Sequence, residues 1–185
     1  MLVGTSSSIV RRLSIHLFLK VIEYNIDKDN HVIISYVSEC HQNHIKLIRL
    51  KISNDKISKR HDVIICQFKA IQYITTSRNY IAVSSKSGRK LLVFSINDLS
   101  VVYCYWRGRA KAIIKDLFFD EKETFLGCLS THMTLHIFTL DNAKLENPDH
   151  TLLSFELAKP EESPLVTSFF DNIFVILSNS DSEWR

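Results

Sequence analysis

Between residues 80 and 140 the chain repeats one pattern: a short apolar run, a brief polar turn, another short apolar run. The runs fall at residues 80–83, 91–96, 101–106, 117–119, 125–129 and 135–140. They are rich in β-branched and aromatic side chains, the composition of strands rather than helices. Short strands at regular spacing argue for a sandwich, a barrel or a propeller. An internal echo selects among these. "YIAVSS", a turn and "KLLVFSI" return as "FLGCLS", a turn and "TLHIFTL". The step from Ile81 to Phe125 is that of one propeller blade, about 40–45 residues in WD-type repeats. The expected fold is all-β, a WD-repeat-like β-propeller.

The rest of the chain extends the pattern. Residues 13–22 and 31–37 read as strands, with the turn cluster NIDKDN between them. Residues 44–52 (HIKLIRLKI) alternate apolar and basic side chains and slip at Ile48, where a β-bulge is expected. The run is either a strand with one wet face or a basic stripe, Lys46, Arg49 and Lys51, facing a membrane or an acidic partner. Residues 54–60 (NDKISKR) read as a charged connector, and 63–74 as the first strand of the next blade. Residues 84–90 form a tight basic turn around Gly88, with Arg89 and Lys90 at its rim. Residues 152–157, 165–170 and 173–177 supply further strands, the last two opening another blade.

Composition removes several classes of function. The 185 residues are 45% hydrophobic and 10% aromatic, enough to build a core. Twenty-three bases against 20 acids give a net charge of +3, too mild to argue for nucleic acid. The four cysteines, Cys40, Cys66, Cys104 and Cys128, lack CxxC spacing. Three sit in strand-like runs as small hydrophobes, which suits a reducing cytosol. Cys40, His41 and His44 lie close together but have no second half, so no metal is expected, nor any cofactor. Lys20 and Glu23 interrupt the apolar run near the N-terminus, against a secretory signal. No nucleophile elbow, P-loop, HExxH or dinucleotide fingerprint is present, so a binding protein rather than an enzyme is expected.

With these residues in view, the stretch from 80 to 140 resembles the PROPPIN family. These are seven-bladed WD-repeat-like propellers, the WIPI group in animals, that bind 3-phosphoinositides in autophagy. The family's F-R-R-G motif corresponds here to Tyr105, Trp106, Arg107 and Gly108, and its T-V-H-I-F strand to Thr134, Leu135, His136, Ile137 and Phe138. The resemblance implies a chain spanning about four of seven blades, one partial propeller domain over residues 1–185. Its opening "VGTSSS" would lie mid-blade.

In such proteins each motif arginine serves its own phosphoinositide pocket. The first arginine is replaced by Trp106, the histidine of that pocket falls near Ile65, and of its turn only Ser85 and Gly88 remain; the first pocket is expected to be lost. The second pocket keeps Arg107, Ser130, Thr131, Thr134 and His136. Arginine suits such a site because its planar fork grips phosphate bidentately and stays charged. The family's membrane-inserting loop corresponds to residues 141–150, DNAKLENPDH, whose three acids against one lysine would repel an anionic surface.

The resemblance thus implies a cytoplasmic protein, peripheral on autophagic, endosomal or vacuolar membranes, that binds phosphatidylinositol 3-phosphate or 3,5-bisphosphate and recruits autophagy proteins. The alternatives are a degenerate WD-repeat scaffold without lipid binding, and a propeller of another class.

Overall fold

A computed structural model describes the backbone of residues 22–26, 31–53, 56–140, 151–156, 166–170 and 173–177, and the side chains of residues 31–51 and 58–140. The described residues form strands and turns, with no helix. Four strands, β1 (Ile22–Ile26), β2 (His31–Val37), β3 (His44–Ser53) and β4 (Lys56–Ile65), make the first antiparallel sheet in sequence order. The second is β5 (Ile71–Thr76), β6 (Tyr80–Ser85), β7 (Lys90–Ser95) and β8 (Val101–Trp106). The third is β9 (Ile114–Phe119), β10 (Phe125–Ser130), β11 (Thr134–Thr139) and β12 (Thr151–Glu156). A two-stranded sheet, β13 (Val166–Phe170) with β14 (Ile173–Leu177), follows.

The first strands of successive sheets touch one another: β1 meets β5, β5 meets β9, and β9 meets β13. Up-and-down four-stranded sheets lined up along their first strands are propeller blades around a hub. Residues 13–21 and 141–150 lie outside the described residues, and with them most of the strand expected at 13–22 and the loop expected to replace the membrane-inserting one.

Burial explains the run-like sequence of the second blade. Ile81, Val83, Leu92 and Phe94 pack toward the first blade with Ile33, Val37, Ile45, Leu47 and Ile64. Their neighbours Ala82, Leu91 and Val93 face the other way, toward Leu117, Leu126, Cys128 and Phe138 of the third blade. A strand buried on both faces has no wet side to alternate with, so it reads as a continuous apolar run. Blade three repeats this. Cys128 and Phe138 face back to blade two, while Leu129, Leu135 and Ile137 pack with Phe118 on the opposite face.

The structure corrects three boundaries. Pairing of β2 with β3 runs unbroken from Val37–Ile45 to His31–Lys51, so Ile48 carries no bulge. The apparent slip has another cause. Ile45 and Leu47 face blade two, whereas Ile48 and Leu50 lie half-buried on the opposite face, beside Lys46 and Tyr36. Residues 56–60 are not a connector; they begin β4, which pairs with β3 from Ser53–Lys56 to His44–Ile65. β4 is the outermost strand of its blade, and outer strands carry charge that blocks edge pairing. Consequently 63–65 end β4, and the next blade's first strand starts only at Ile71.

Gly127 marks the tightest contact within a blade. It pairs with Phe118 of β9, and a Cβ built there would stand 2.0 Å from that ring. The ring has little room to yield, since it packs among Leu129, Leu135 and Ile137. Gly127→Ala is expected to cost about 1–3 kcal/mol by overpacking. In a Phe118→Leu background the cost should shrink, which a double-mutant cycle in urea would read; additive effects would mean that the glycine is needed for another reason.

Candidate functional site

The residues singled out around the Y-W-R-G sequence come together where blades two and three meet. In an antiparallel meander the second-to-third-strand turn lies at the same end as the link to the next blade. At that end stand residues 86–89 of blade two, the link 107–113, and residues 131–133 of blade three.

Tyr105, at the end of β8, is 2% exposed. Its ring stacks on Phe138 with centroids 4.7 Å apart and its hydroxyl donates to the Thr139 carbonyl. Tyr103 stacks beside it and donates to the Leu140 carbonyl. These tyrosines bind the outer strand of blade two to β11. Trp106 pairs with Lys90 across β7 and β8, and the ammonium lies 5.1 Å from the indole centroid, a cation–π contact. The residue standing where the family has its first arginine is thus engaged with a cation of its own blade.

Arg107 is only 6% exposed. Its Nε donates to the Gly88 carbonyl at 2.5 Å and one terminal nitrogen donates to the Ala110 carbonyl at 2.6 Å. Its backbone N–H donates to the Arg89 carbonyl at 2.7 Å. The guanidinium therefore ties the 86–89 turn to the link between blades. Gly88 makes that turn possible. Its φ is +64°, and a Cβ there would stand 2.1 Å from the Ala112 carbonyl oxygen, so both the backbone and the space demand glycine. Burial lowers the Arg107 pKa, with a smaller opposing influence from Cys128. Cys128 is fully enclosed, and burial pushes its thiol up to about 12.

Ser130 is buried and Thr134 half-buried, with their hydroxyls 2.8 Å apart. Ser130 Oγ also accepts from the His132 N–H at 3.3 Å. Thr131 is exposed and joins this turn to the link: its N–H donates to the Ile113 carbonyl at 2.9 Å, and its Oγ1 accepts from the Ile113 N–H at 3.2 Å. Gly108 has an open backbone with nothing within 4 Å of a notional Cβ.

His136 pairs with Cys128 across β10 and β11 and faces blade two, with Phe138 stacked beside it. Its Nδ1 is buried without a hydrogen-bond partner among the described residues. Burial first, and the positive charge of Arg107 second, lower its pKa to about 4. The reading of the sequence missed the acceptors, the Gly88 and Ala110 carbonyls. Gly88 carried a signal as a glycine in a tight turn; Ala110 carried none. Cys40, His41 and His44 form no metal-ligating cluster with other residues, and none is found among the described residues; instead the His41 and His44 rings stack at 4.5 Å.

This fold is that of a WD-repeat-like β-propeller, and comparison with known proteins finds similarity to autophagy-related propellers. The chain is 25% identical over 144 residues to autophagy-related protein 18 of Kluyveromyces marxianus, covering 70% of this chain and 26% of that protein. It is 27% identical over 115 residues to the Kluyveromyces lactis protein of the same name, covering 54% and 23%. Among solved structures, Kluyveromyces lactis Hsv2 superposes with a TM-score of 0.69 at 17% identity, over 86% of this chain and 54% of that one. Kluyveromyces marxianus Hsv2 does so with a TM-score of 0.58 at 18% identity, over 78% and 44%. Both groups are PROPPINs, so the resemblance read from residues 80–140 is met in sequence and in fold. The matched regions span about a quarter of the curated relatives and about half of the structural ones. No family model matches the chain.

The His136 shift has a consequence for stability. Its folded pKa of about 4 lies below the ordinary histidine value of 6.5. As pH falls from 6.5 toward 4, the unfolded chain takes up a proton that the folded chain refuses, so this residue's contribution is present above 6.5 and is lost across that window. Urea midpoints at pH 7.5 and 5.0 should fall further for the native chain than for His136→Gln. Equal losses would mean the imidazole titrates normally in the fold.

Proposed function

We propose that this protein is a phosphoinositide-binding effector of autophagy with a single headgroup pocket at the junction of blades two and three. The observation that carries this reading is the grouping at that junction of the Arg107 guanidinium, the unpartnered Nδ1 of His136 and the Ser130 and Thr134 hydroxyls. Arg107 commits two donors to carbonyls; its remaining N–H groups are those a phosphate would take, and a guanidinium carries five donors in all. Thr131, on the exposed side of the turn, would bond an outer oxygen of the headgroup. An anion beside Arg107 would also offset the repulsion that depresses His136.

In this reading the ligand is phosphatidylinositol 3-phosphate or 3,5-bisphosphate. The protein is cytoplasmic and peripheral on autophagic, endosomal or vacuolar membranes, where it recruits autophagy proteins. Residues 1–185 act as one partial propeller domain that binds rather than catalyses. The names of its curated relatives support the autophagy assignment. With Trp106 held by Lys90, the first pocket contributes nothing, and affinity lacks the gain that two linked sites would provide.

One observation favours a second reading. Arg107 is buried and already serves as a structural tie between two loops. A propeller that kept this arginine for its fold alone would be a protein-interaction scaffold without lipid affinity.

Flotation of liposomes with and without 3-phosphoinositides separates the two. The native chain should float only with the lipid, and Arg107→Ala should abolish this. Because that change leaves the Gly88 and Ala110 carbonyls unpaired, at about 1–3 kcal/mol, His136→Gln serves as a second variant with the tie intact and should weaken flotation severalfold. A folded native chain that ignores the lipid would leave the scaffold in place of the effector.

A further inference from the structure

The opposite end of the first two blades carries a second concentration of charge, independent of the Arg107 junction. Directly opposed residues of antiparallel strands share a face. On the face of blade one that meets blade two, β3 presents Ile45, Leu47, Arg49 and Lys51 in turn, and β4 opposes them with Ile64, Asp62, Arg60 and Ser58. The first half of this face is core. The second half is polar and extends past the packed region, because β3 and β4 run to 10 residues each while the strands of blade two have six. His31 opposes Lys51 on the same face.

The overhang and the turns of blade two enclose a cleft of about 320 Å³, lined among others by His31, Arg49, Lys51, Lys59, Arg60 and Arg78. That is within the range of small-ligand pockets, roughly 300–1,000 Å³. No lining residue is acidic. Arg49 and Arg60 stand directly opposite each other, an arrangement that costs stability for like charges. Asp62 lies between them, 3.4 Å from Arg49 Nε and 3.1 Å from Arg60 Nε, and Arg49 also donates to the Ile96 carbonyl. One carboxylate thus lies beside both arginines, Arg49 half-buried and Arg60 exposed, and Lys51 and Arg78 are exposed at the rim. Four permanent cations, Arg49, Arg60, Lys51 and Arg78, converge on one concave site, with Lys59 on the other face of β4 at its edge.

We infer that this cleft between the first two blades binds a compact anion bearing several phosphates. Half-buried Arg49 supplies a fixed, planar donor at the floor, and the exposed Arg60, Arg78 and Lys51 supply mobile charge at the rim. Bound phosphate would screen the Arg49–Arg60 pair, so occupancy should stabilise the fold as well as fill the site. The phosphates belong either to a free polyphosphorylated polyol or to a lipid headgroup.

The probe is inositol hexakisphosphate, titrated calorimetrically into the native chain, with the thermal midpoint followed in parallel. Binding that weakens with added salt and a raised midpoint are expected. Lys51→Glu with Arg78→Glu should weaken it at least tenfold. Lys69→Glu with Lys115→Glu, the same charge change on exposed residues outside the cleft, should leave it within about twofold, and so should Arg107→Ala. No binding by the native chain, or equal loss in both double variants, overturns the proposal. Loss in Arg107→Ala alone would assign the anion to the other junction and also overturns it, whereas failure of flotation at that junction leaves this cleft untouched. Liposomes carrying phosphatidylinositol 3,5-bisphosphate then identify the source: flotation reduced by the Lys51–Arg78 variant means a headgroup, and unchanged flotation with soluble binding lost means a free polyphosphate.

Discussion

Everything described here depends on sheets being covered on both faces. A blade alone is a small antiparallel sheet with two apolar surfaces, and neither can face water. Blade two solves this with Ile81, Val83, Leu92 and Phe94 on one side and Ala82, Leu91 and Val93 on the other. Each of these side chains larger than alanine, once buried, contributes about 1.5–3 kcal/mol, so the stack of blades and not any single sheet is the stable unit. The polar links follow from the same requirement. Tyr73 on β5 donates to Asp116 on β9 at 3.0 Å, and Gln72 accepts from the Ile114 N–H at 2.8 Å. At the other end the Asn79 N–H donates to Glu123 at 2.8 Å. Apolar faces hold blades together, and these bonds fix their relative register.

Arg107 belongs to this system before it belongs to any ligand. Its two carbonyl bonds join the turn of one blade to the strap leading to the next, and Gly88 is shaped for that approach. A side chain held this way costs little further entropy when a phosphate arrives, since its rotamer is already set. The structural tie and the proposed ligand contact are therefore compatible uses of one guanidinium. His136 is the more telling neighbour, because an unpartnered buried nitrogen costs stability and does nothing for packing.

The sequence was most legible where both faces are buried. Runs such as KLLVFS and FLGCLS can only be interior strands, and the blade spacing from Ile81 to Phe125 carried the fold. It was least legible in the first blade, which pairs apolar and charged residues on one face. There the alternation in HIKLIRLKI changes character at Leu47, and a change of neighbour looks in sequence like a change of register. The charged start of β4 resembled a connector because an outer strand and a loop are both wet. At the site, side chains with phosphate chemistry could be named from the motif. Their backbone partners could not, because any residue's carbonyl can accept and only geometry selects Gly88 and Ala110.

The two ends of a blade pair thus differ in how their charge is held. At the Arg107 end that one guanidinium is enclosed, its pKa lowered by burial and two of its five donors met by carbonyls, while Arg109 and Lys111 of the same link are exposed. At the other end Arg49 and Arg60 share the Asp62 carboxylate, and Lys51 and Arg78 are exposed across an open cleft. An enclosed arginine gives orientation and little long-range attraction, whereas an open cluster with low-dielectric walls focuses field into solvent and draws anions from a distance. The long β3–β4 hairpin is what creates this asymmetry. A hairpin ending level with blade two at Leu47 and Asp62 would bury the same apolar face, yet it would carry none of the opposed arginines. Among the described residues the extra length adds no side chain to the buried core, and its effect there is electrostatic.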